Sequence, residues 1–211
     1  MTQVNVLLVE DNDFTRSTVA AALRAEQCQL VASVASAREA MEAAKMYDID
    51  CAVLDLDLGT GPSGIDLAYA LRQDDPDLAI VILTTYADPR LHSDDERPLP
   101  TRAVYAVKED VHSTGQLREQ IDIACGLRRQ DVAHSARQVP LTDAQVEVLR
   151  LVAEGCTNAE IARRRVVSER SVEAAIARIL RRLAITPDES ENSRVLLTGA
   201  YFALIGKAGG R

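Results

Sequence analysis

Short, predominantly apolar runs recur in the first 110 residues of the chain, and each ends at a polar or charged residue. Val4–Val9, Ile49–Leu54 and Leu78–Leu83 have this form, and Val104–Val107 is a shorter example. Such runs, with little alternation between polar and apolar residues, are typical of strands buried on both faces of a parallel sheet. Segments with helical periodicity separate them. The pattern therefore predicts a doubly wound α/β fold in this part of the chain.

The intervals between these runs carry helix signals. Ser36 is followed three residues later by Glu39, a spacing typical of a capping box, which predicts a helix that ends near Tyr47. Apolar residues at helical spacing predict further helices in this part of the chain, at Phe14–Leu23, Ile65–Arg72 and Leu117–Leu127.

The distribution of charge separates the chain into two parts. Residues 1–135 carry 12 Lys+Arg and 23 Asp+Glu, whereas residues 136–211 carry 12 and 9, so a part of net charge −11 precedes one of +3. Only the basic part suits a polyanionic partner. Arg128–Pro140 loses apolar periodicity, which is typical of a linker. We therefore predict an α/β domain, a linker and an all-α domain over residues 1–127, 128–140 and 141–211.

Composition also indicates the cellular location of the protein. Its longest apolar runs are strand-sized, and its first residues lack the basic region and cleavage site of a signal peptide, so we expect a cytoplasmic protein without a membrane partner. The four cysteines lie far apart, with no CxxC pair and no nearby His at ligand spacing. We interpret them as buried free thiols rather than as a disulfide or a metal site.

Polar residues with a shared chemistry follow the predicted strands. Glu10 and Asp11 follow the first, and Asp55, Thr84 and Lys108 each follow a later one. The carboxyl ends of parallel strands meet at one edge of a sheet, so we expect these side chains to converge. Three carboxylates repel one another unless a cation lies among them, and oxygen ligands suit Mg²⁺. A carboxylate beside such an ion can attack phosphorus, which predicts an aspartyl phosphate.

Residues 3–127 resemble the receiver domain of bacterial two-component response regulators. The motifs that carry the resemblance are VEDN, VLDLDLG, ILTT and YAVK, each at the end of a predicted strand. The resemblance implies a five-stranded, flavodoxin-like parallel sheet, and it implies that a sensor histidine kinase phosphorylates Asp55.

The same resemblance implies roles for the other residues of these motifs. Glu10, Asp11, Asp55 and the backbone carbonyl of Asp57 are the implied Mg²⁺ ligands. The implied phosphoryl-binding and switch residues are Thr84, whose hydroxyl follows the phosphoryl group, Lys108, which binds phosphate, and Tyr105, whose ring turns inward.

The segment Asp55–Thr60, DLDLGT, also resembles the nucleophile motif of haloacid dehalogenase-type phosphatases, which are enzymes. Those phosphatases carry their metal-binding acids downstream of the lysine. Here Glu10 and Asp11 precede the nucleophile, and the chain after Lys108 has no comparable acidic strand end. The order of the motifs favours the receiver, and we do not expect an enzyme.

The segment between Thr84 and Lys108 departs from the receiver pattern, which has a full helix there. It contains Pro89, Pro98 and Pro100, and proline removes a backbone donor and clashes with the preceding turn. We therefore expect at most one or two helical turns. A shortened, mobile loop is the favoured interpretation, and an altered contact surface is the alternative.

Helix-start signals recur closely in the second part of the chain. Thr142 and Thr157 each precede a Gln or Glu by three residues, as in a capping box, and Ser168 is a candidate N-cap. Short helices separated only by Val166–Ser168 indicate a helix-turn-helix. The apolar segment Arg194–Ile205 predicts a last helix that packs partly on the others and leaves a candidate dimer surface.

Residues 140–205 resemble the LuxR-type helix-turn-helix of the NarL/FixJ response regulators. The match is firm at the helix starts and at core positions such as Glu160–Ala162. It fails at Ala144-Gln145, where the family usually has Arg-Glu, and at Ser171–Ala175, where it usually has Thr-Val-Lys-x-His. The resemblance implies binding to double-stranded DNA and a homodimer formed through the last helix.

Helical spacing divides Ser171–Leu183 into two faces. Apolar residues three and four positions apart, from Val172 to Leu183, predict the buried face. The other face and the preceding helix carry arginines that can contact phosphates, and Glu173 can accept a hydrogen bond from cytosine N4. We predict DNA contacts for Arg163, Arg164, Arg165, Arg170, Ser171, Glu173, Ala174, Arg178, Arg181 and Arg182.

The two parts together predict a phosphorylation-controlled, DNA-binding transcriptional regulator. Two alternatives stay open. The receiver could control a protein-interaction module with a degenerate helix-turn-helix, or the chain could bind DNA independently of phosphorylation. Binding to duplex DNA, measured with and without a phosphodonor, separates the three hypotheses.

Overall fold

The computed structural model describes residues 3–92, 98–126, 139–188 and 191–206. The chain divides into two compact units. Most of the sequence-predicted linker lies outside the described residues, so the predicted domain limits stay predictions. Among the described residues, unit 1 comprises 3–85 and 98–126, and unit 2 comprises 86–92, 139–188 and 191–206.

Unit 1 contains a five-stranded parallel sheet in the order β2-β1-β3-β4-β5. The predicted doubly wound α/β fold is thereby confirmed. The position of β2 was not predicted, because this edge strand is only partly buried and mixes polar with apolar residues. The strands span Asn5–Val9 (β1), Gln29–Val34 (β2), Cys51–Leu54 (β3), Ala79–Thr84 (β4) and Ala103–Val107 (β5).

Helices cover both faces of this sheet. Alternate strand residues such as Val6, Leu8 and Val81 are buried with the helices that we label α1 and α4. The intervening residues are buried as well and face α2 and α3. The predicted helices are present with shifted ends, and α2 ends before Tyr47 because residues 45–47 form a turn. The helices span Asp13–Ala25 (α1), Ala37–Ala44 (α2), Gly64–Asp74 (α3) and Thr114–Gly126 (α4).

The connection between β4 and β5 contains one short 3-10 helix, Pro89–Leu91, in its described part, which agrees with the expected one or two turns. Residues 93–97 of this connection lie outside the described residues. Residues 86–92 do not form the mobile loop favoured from the sequence, because Asp88 and Leu91 are completely buried within unit 2. A sequence window could not reveal the partners that bury them, which lie about 50 or more positions away.

Unit 2 is built from four helices in its described residues. Leu149, Ile161, Ile179 and Leu197 are completely buried in its core. Thr142 caps the first of these helices, its backbone N–H donating to Gln145 Oε1 at 3.0 Å, as the capping-box spacing predicts. The helices span Asp143–Ala153 (α5), Asn158–Arg165 (α6), Glu169–Arg182 (α7) and Ser193–Leu204 (α8).

The cysteines and the helix lengths bear on two further expectations. None of the four cysteines is in a disulfide. The predicted burial is confirmed for Cys28, Cys51 and Cys156, whereas Cys125 is half-buried. None of the helices in the described ranges combines the length and apolar content that a membrane span requires.

Candidate phosphoacceptor site and DNA-binding surface

Three carboxylates converge at the carboxyl edge of the sheet. Glu10 and Asp11 directly follow β1, and Asp55 directly follows the neighbouring strand β3. Each offers a carboxylate oxygen, and these oxygens all lie within 4.8 Å of one another. Glu10 and Asp55 are only 3% and 8% exposed, whereas Asp11 is open to solvent. This acidic cluster could hold a metal ion.

Lys108 contacts two of these carboxylates, and it follows β5, the outermost strand on one side of the sheet. Its Nζ donates to Glu10 Oε2 at 2.6 Å and to Asp55 Oδ2 at 2.8 Å. The two partners lie 98 and 53 positions away in the chain. The fold therefore places the Lys108 ammonium directly against the Glu10 and Asp55 carboxylates. This agrees with the prediction that residues after neighbouring parallel strands meet at one edge of the sheet.

The electrostatics of the cluster follow from burial and close approach. Burial raises the pKa of Glu10 to about 7, repulsion from Asp55 adds to the shift, and Lys108 opposes it. Burial alone would lower the pKa of Lys108, but the two carboxylates outweigh burial, and the net shift is upward. The charged form of Glu10 is thus destabilised, and a further positive charge nearby would stabilise it.

Thr84 lies at the same edge of the sheet. It is the last residue of β4, completely buried, and pairs in register with Val107, the residue before Lys108. Since Leu54 pairs with Ile82, Asp55 is level with Leu83, one position short of Thr84. Register thus brings Thr84 to the acidic cluster.

Tyr105 and Asp57 were also predicted to belong to the site. Tyr105 is on β5, paired with Ile82, and its side chain is buried at 9% exposure. The Asp57 carboxylate accepts from Gly59 N at 3.1 Å, which orders the loop after Asp55. Only the backbone carbonyl of Asp57 is implied in metal binding, and its role stays a prediction.

Two residues that support the site were not singled out by sequence reasoning. Arg16 donates through Nη1 to the backbone carbonyl of Glu10 at 2.6 Å and to that of Asp11 at 3.3 Å. Gly64, the first residue of α3, lies so close to the end of β3 that a Cβ would be 2.0 Å from the Asp55 carbonyl oxygen. A glycine at the start of a helix is a signal for a close approach of two backbones, whereas Arg16 carried no signal.

In unit 2, α6 and α7 form the predicted helix-turn-helix. Ser168 caps α7 by accepting from Ser171 N at 3.1 Å, as predicted. Val166, between the helices, has a left-handed backbone (φ 54°, ψ 48°) and is 90% exposed. The predicted faces are confirmed within α7: Val172, Ile176, Ile179 and Leu180 are buried, and Arg170, Glu173, Ala174, Ala177, Arg178 and Arg181 are exposed. Leu183, also predicted to be buried, follows the last residue of α7 and is half-buried.

The predicted DNA-contacting arginines fall into two groups. Four of them bind groups within unit 2: Arg163 and Arg164 pair with Glu160, Arg165 pairs with Glu147, and Arg182 donates to Pro140 O at 3.1 Å. The remaining three, Arg170, Arg178 and Arg181, are exposed on α7 and have no ion pair among the described residues. The surface of α7 therefore offers guanidinium groups to an external anion.

Two family models match the chain. They are the response regulator receiver domain over residues 6–94 and the luxR family of bacterial regulatory proteins over residues 139–189. The DNA-binding transcriptional activator DevR/DosR of Mycobacterium tuberculosis is 31% identical over 86% of this chain and 89% of its own length. The chain therefore belongs to the NarL-type response regulators, which join a receiver domain to a LuxR-type domain.

A further relative agrees with this assignment, and solved structures share the fold. The nitrate/nitrite response regulator protein NarP of Escherichia coli is 27% identical, over 87% of this chain and 90% of its own length. The structure of the RcsB–DNA complex covers 97% of this chain and 100% of its own, with a TM-score of 0.58 and 18% identity. RcsB of Salmonella enterica serovar Typhimurium gives a TM-score of 0.54 at 21% identity, covering 95% and 99% of the two chains. These structures support the fold.

The receiver match ends inside the connection between β4 and β5. It stops at residue 94, so β5 and Lys108 lie beyond the matched residues. Lys108 nevertheless contacts Glu10 and Asp55. The match thus ends within the connection, whereas Lys108, beyond the matched residues, contacts two carboxylates of the cluster.

Proposed function

We propose that this chain is a cytoplasmic, phosphorylation-controlled transcriptional regulator that accepts a phosphoryl group on Asp55 from a sensor histidine kinase and binds double-stranded DNA. The observation that carries the proposal is the acidic cluster with Lys108, whose Nζ contacts two of the three carboxylates. The similarity to DevR/DosR, a DNA-binding transcriptional activator, supports the DNA-binding half.

Asp55 is the nucleophile in this proposal. One of its carboxylate oxygens forms a bond to phosphorus while the bond from phosphorus to the kinase histidine nitrogen breaks, and that nitrogen takes up a proton. Lys108, already within 2.8 Å of Asp55, pairs with the negative oxygens of the arriving phosphoryl group. The hydroxyl of Thr84 donates to another of these oxygens.

The acidic cluster fits Mg²⁺. Glu10, Asp11 and Asp55 offer only oxygen donors, which this ion prefers, and the backbone carbonyl of Asp57 would complete the protein ligands. Burial, with repulsion from Asp55 added to it, raises the pKa of Glu10, so a cation bound beside it would stabilise its charged form. When bound, Mg²⁺ supplies positive charge that offsets the carboxylates and the phosphoryl oxygens.

Thr84 and Tyr105 are proposed to pass the change at Asp55 onward. Thr84 moves toward the phosphoryl oxygens, and the ring of Tyr105 occupies the space that Thr84 leaves. The support is their placement on adjoining strands, since β4 and β5 pair along their length. Two packed arrangements of these side chains would shift the population of the chain between two states.

α7 is proposed as the helix that enters the major groove of DNA. Arg170, Arg178 and Arg181 bind phosphates in this proposal, because they are exposed and form no ion pair in the described part of the chain. Glu173 accepts from cytosine N4, and Ala174 allows close approach to a thymine methyl.

The other predicted contacts are proposed to play smaller parts. Arg163, Arg164, Arg165 and Arg182 bind groups of unit 2 and would have to exchange those partners for phosphates. Ser171 lies at the start of α7, where its Oγ is 2.8 Å from Ser168 Oγ. A homodimer is proposed to place two copies of α7 on half-sites about one DNA turn apart.

Labelling with acetyl phosphate in the presence of Mg²⁺ tests the phosphoacceptor. We expect a phosphoryl adduct on Asp55, and we expect Asp55→Asn to abolish it, with Asp74→Asn, at an exposed acid of α3, as the matched control that keeps it. Labelling of the Asp55→Asn variant at the wild-type level would contradict the assignment.

Binding to a fluorescent duplex of mixed sequence tests the DNA half. We expect affinity that falls steeply with salt, since phosphate contacts release counterions. If the chain fails to bind at low salt, both with and without acetyl phosphate, it is not a DNA-binding regulator. Turnover of a generic phosphomonoester that depends on Asp55 would instead indicate a phosphatase.

A further inference from the structure

Residues 86–92, which we call the docked segment, are built into unit 2 although they follow a strand of unit 1. The Leu91 side chain is completely buried in the core of unit 2. Ala87 N donates to Leu204 O of α8 at 2.8 Å, and Tyr201 Oη donates to Leu91 O at 3.3 Å. The docked segment is therefore buried in the core of unit 2 and hydrogen-bonded to its last helix.

A buried ion pair fixes the docked segment to the residues that precede α5. The Asp88 carboxylate is completely buried and accepts from Val139 N at 3.0 Å and from Arg90 Nη2 at 2.7 Å. Arg90 Nη1 in turn donates to Leu141 O at 3.0 Å and to Asp143 Oδ1 at 2.8 Å. Every one of these partners belongs to unit 2.

Such a network holds its parts in one arrangement. A buried carboxylate without its partners is strongly unfavourable, so Asp88 keeps Arg90 and Val139 in place for as long as it stays buried. The docked segment therefore resists displacement from α5 and α8, unlike a solvated loop.

The chain between the phosphoacceptor site and the docked segment is very short. Thr84 belongs to the site, Tyr86 belongs to the docked segment, and only Thr85 lies between them. Two peptide steps span at most about 7 Å, so there is little slack to absorb a movement of Thr84. Any such movement has to be taken up by Thr85 or passed to the docked segment.

We infer that the docked segment is the element that couples phosphorylation to the DNA-binding unit: movement of Thr84 is passed through Thr85 to the residues that hold α5 and α8. The inference rests on the proposed function, in which Thr84 moves when Asp55 is phosphorylated. In the described part of the connection, the backbone joins β4 to residues 86–92, a segment that contacts α5 and α8.

Lengthening the connection tests the inference without removing any contact. In one variant of the full chain, Gly-Ser-Gly-Ser is inserted between Thr85 and Tyr86; in the matched control, the same residues are inserted between Arg129 and Gln130, within the predicted linker. Acetyl phosphate labelling of Asp55 and affinity for a mixed-sequence duplex are measured for wild type and both variants. All site and docked-segment residues remain in each.

The expected result is specific to the first insertion. Phosphorylation of the wild type should change DNA affinity by about 5- to 150-fold, the usual range for coupled sites. The insertion after Thr85 should leave labelling intact and reduce this ratio to about one, while the insertion after Arg129 should keep it. The inference would be overturned if phosphorylation changed the DNA affinity of both insertion variants as much as that of the wild type. It would also be overturned if both variants lost this change equally.

Amide hydrogen exchange supplies a readout that does not depend on DNA. Phosphorylation of the wild type should change exchange at Ala87 and Val139, whose N–H groups bind Leu204 O and Asp88, and the insertion after Thr85 should remove that change. Labelled wild type with unchanged exchange at both amides overturns the inference. Changed exchange without any DNA binding supports it and overturns the DNA half of the proposed function; absence of Asp55 labelling overturns both.

Removing the anchor gives a second variant. Arg90→Ala deprives Asp88 of its ion pair and should make the docked segment exchange faster and reduce the phosphorylation-dependent ratio of DNA affinities, with Arg38→Ala, an exposed arginine of α2, as the control. If Arg90→Ala fails to fold, the insertion after Thr85 still decides. A folded Arg90→Ala variant with the wild-type ratio and wild-type exchange would contradict the inference.

Discussion

The acidic cluster of unit 1 and the arginine-bearing surface of unit 2 are two charged regions built in opposite ways. In the acidic cluster, Glu10, Asp55 and Lys108 are brought together from three strand ends and are largely withdrawn from water. On α7, by contrast, Arg178 and Arg181 stand in solvent on one helix, side by side with other exposed residues.

The difference determines how each region responds to change. Charges in a buried cluster depend on one another, so removing one leaves the others without compensation and has a large effect. Exposed charges act nearly independently, and salt screens them. We therefore expect substitutions in the acidic cluster of unit 1 to have large, all-or-none effects. Substitutions on α7 of unit 2 should have graded effects that depend on salt.

Lys108→Ala should give the largest effect. It removes the cation that contacts Glu10 and Asp55, and with it a group that stabilises the incoming phosphoryl oxygens. We expect the rate of Asp55 labelling by acetyl phosphate to fall by roughly 10²- to 10³-fold, as for other preorganised electrostatic groups. The control is Lys45→Ala, an exposed lysine after α2. A labelling rate within twofold of wild type would show that Lys108 is not part of the site.

Gly64→Ala should disrupt the loop that carries Asp55. The added methyl would lie 2.0 Å from the Asp55 carbonyl oxygen, so the backbone must shift. We expect unit 1 to lose about 3 kcal/mol of stability, near the upper end for overpacking, measured by urea unfolding. Gly115→Ala in α4 is the matched control, since its nearest neighbour is Ser113 Oγ at 4.0 Å. Equal stability of the two variants would contradict the close packing.

The acidic cluster also predicts how stability depends on pH when divalent cations are absent. The pKa of Glu10 in the folded protein is raised from 4.5 to about 7. Its contribution to the free energy of unfolding is therefore fully present below pH 4.5 and is lost as the pH rises through 7. The loss should amount to at most about 3 kcal/mol. Glu10→Gln should flatten the dependence between these pH values, and an unchanged slope would contradict the raised pKa.

Arg178→Ala and Arg181→Ala should have moderate and additive effects on DNA affinity. Each removes one exposed guanidinium, so each should lower the slope of log affinity against log salt by about 1. Arg182→Ala, whose guanidinium donates to Pro140 O, should change the slope less. If the salt dependence of affinity were equal for all three variants, the hydrogen bond of Arg182 to Pro140 O would not prevent Arg182 from contacting DNA.

Val166→Gly should give the smallest effect, and a favourable one. Val166 has a positive φ that a β-branched residue adopts only under strain, and its exposed side chain has little packing to lose. We expect unit 2 to gain up to about 1 kcal/mol in thermal or urea unfolding. Val167→Gly, one position later and without the positive φ, should destabilise instead. Destabilisation by both substitutions would argue against strain at Val166.

Much of the acidic cluster could be predicted from the sequence, for a physical reason. Strands buried on both faces have a distinct composition, and in a parallel sheet their carboxyl ends meet at one edge. Glu10, Asp55 and Lys108 could therefore be grouped without knowing any contact. The two faces of α7 could be predicted in the same way from helical periodicity.

The docked segment could not be predicted by this kind of reasoning. The prolines between Thr84 and Lys108 predicted at most one or two helical turns, and the described part of this connection contains one short 3-10 helix. Neither Asp88 nor Leu91, however, belongs to a periodic pattern that marks it as buried. Their burial depends on Val139 and Tyr201, which are 51 and 110 positions away from them. Periodicity and spacing report on one element at a time and contain no information about such partners.

Affinity for duplex DNA, measured at several salt concentrations with Asp55 phosphorylated and unphosphorylated, tests the central claim most directly. We predict that affinity falls with salt in both states and that phosphorylation shifts it by about 5-fold or more in the wild type but not in Asp55→Asn. Salt-dependent binding that is identical in the labelled and unlabelled wild type would contradict control by phosphorylation.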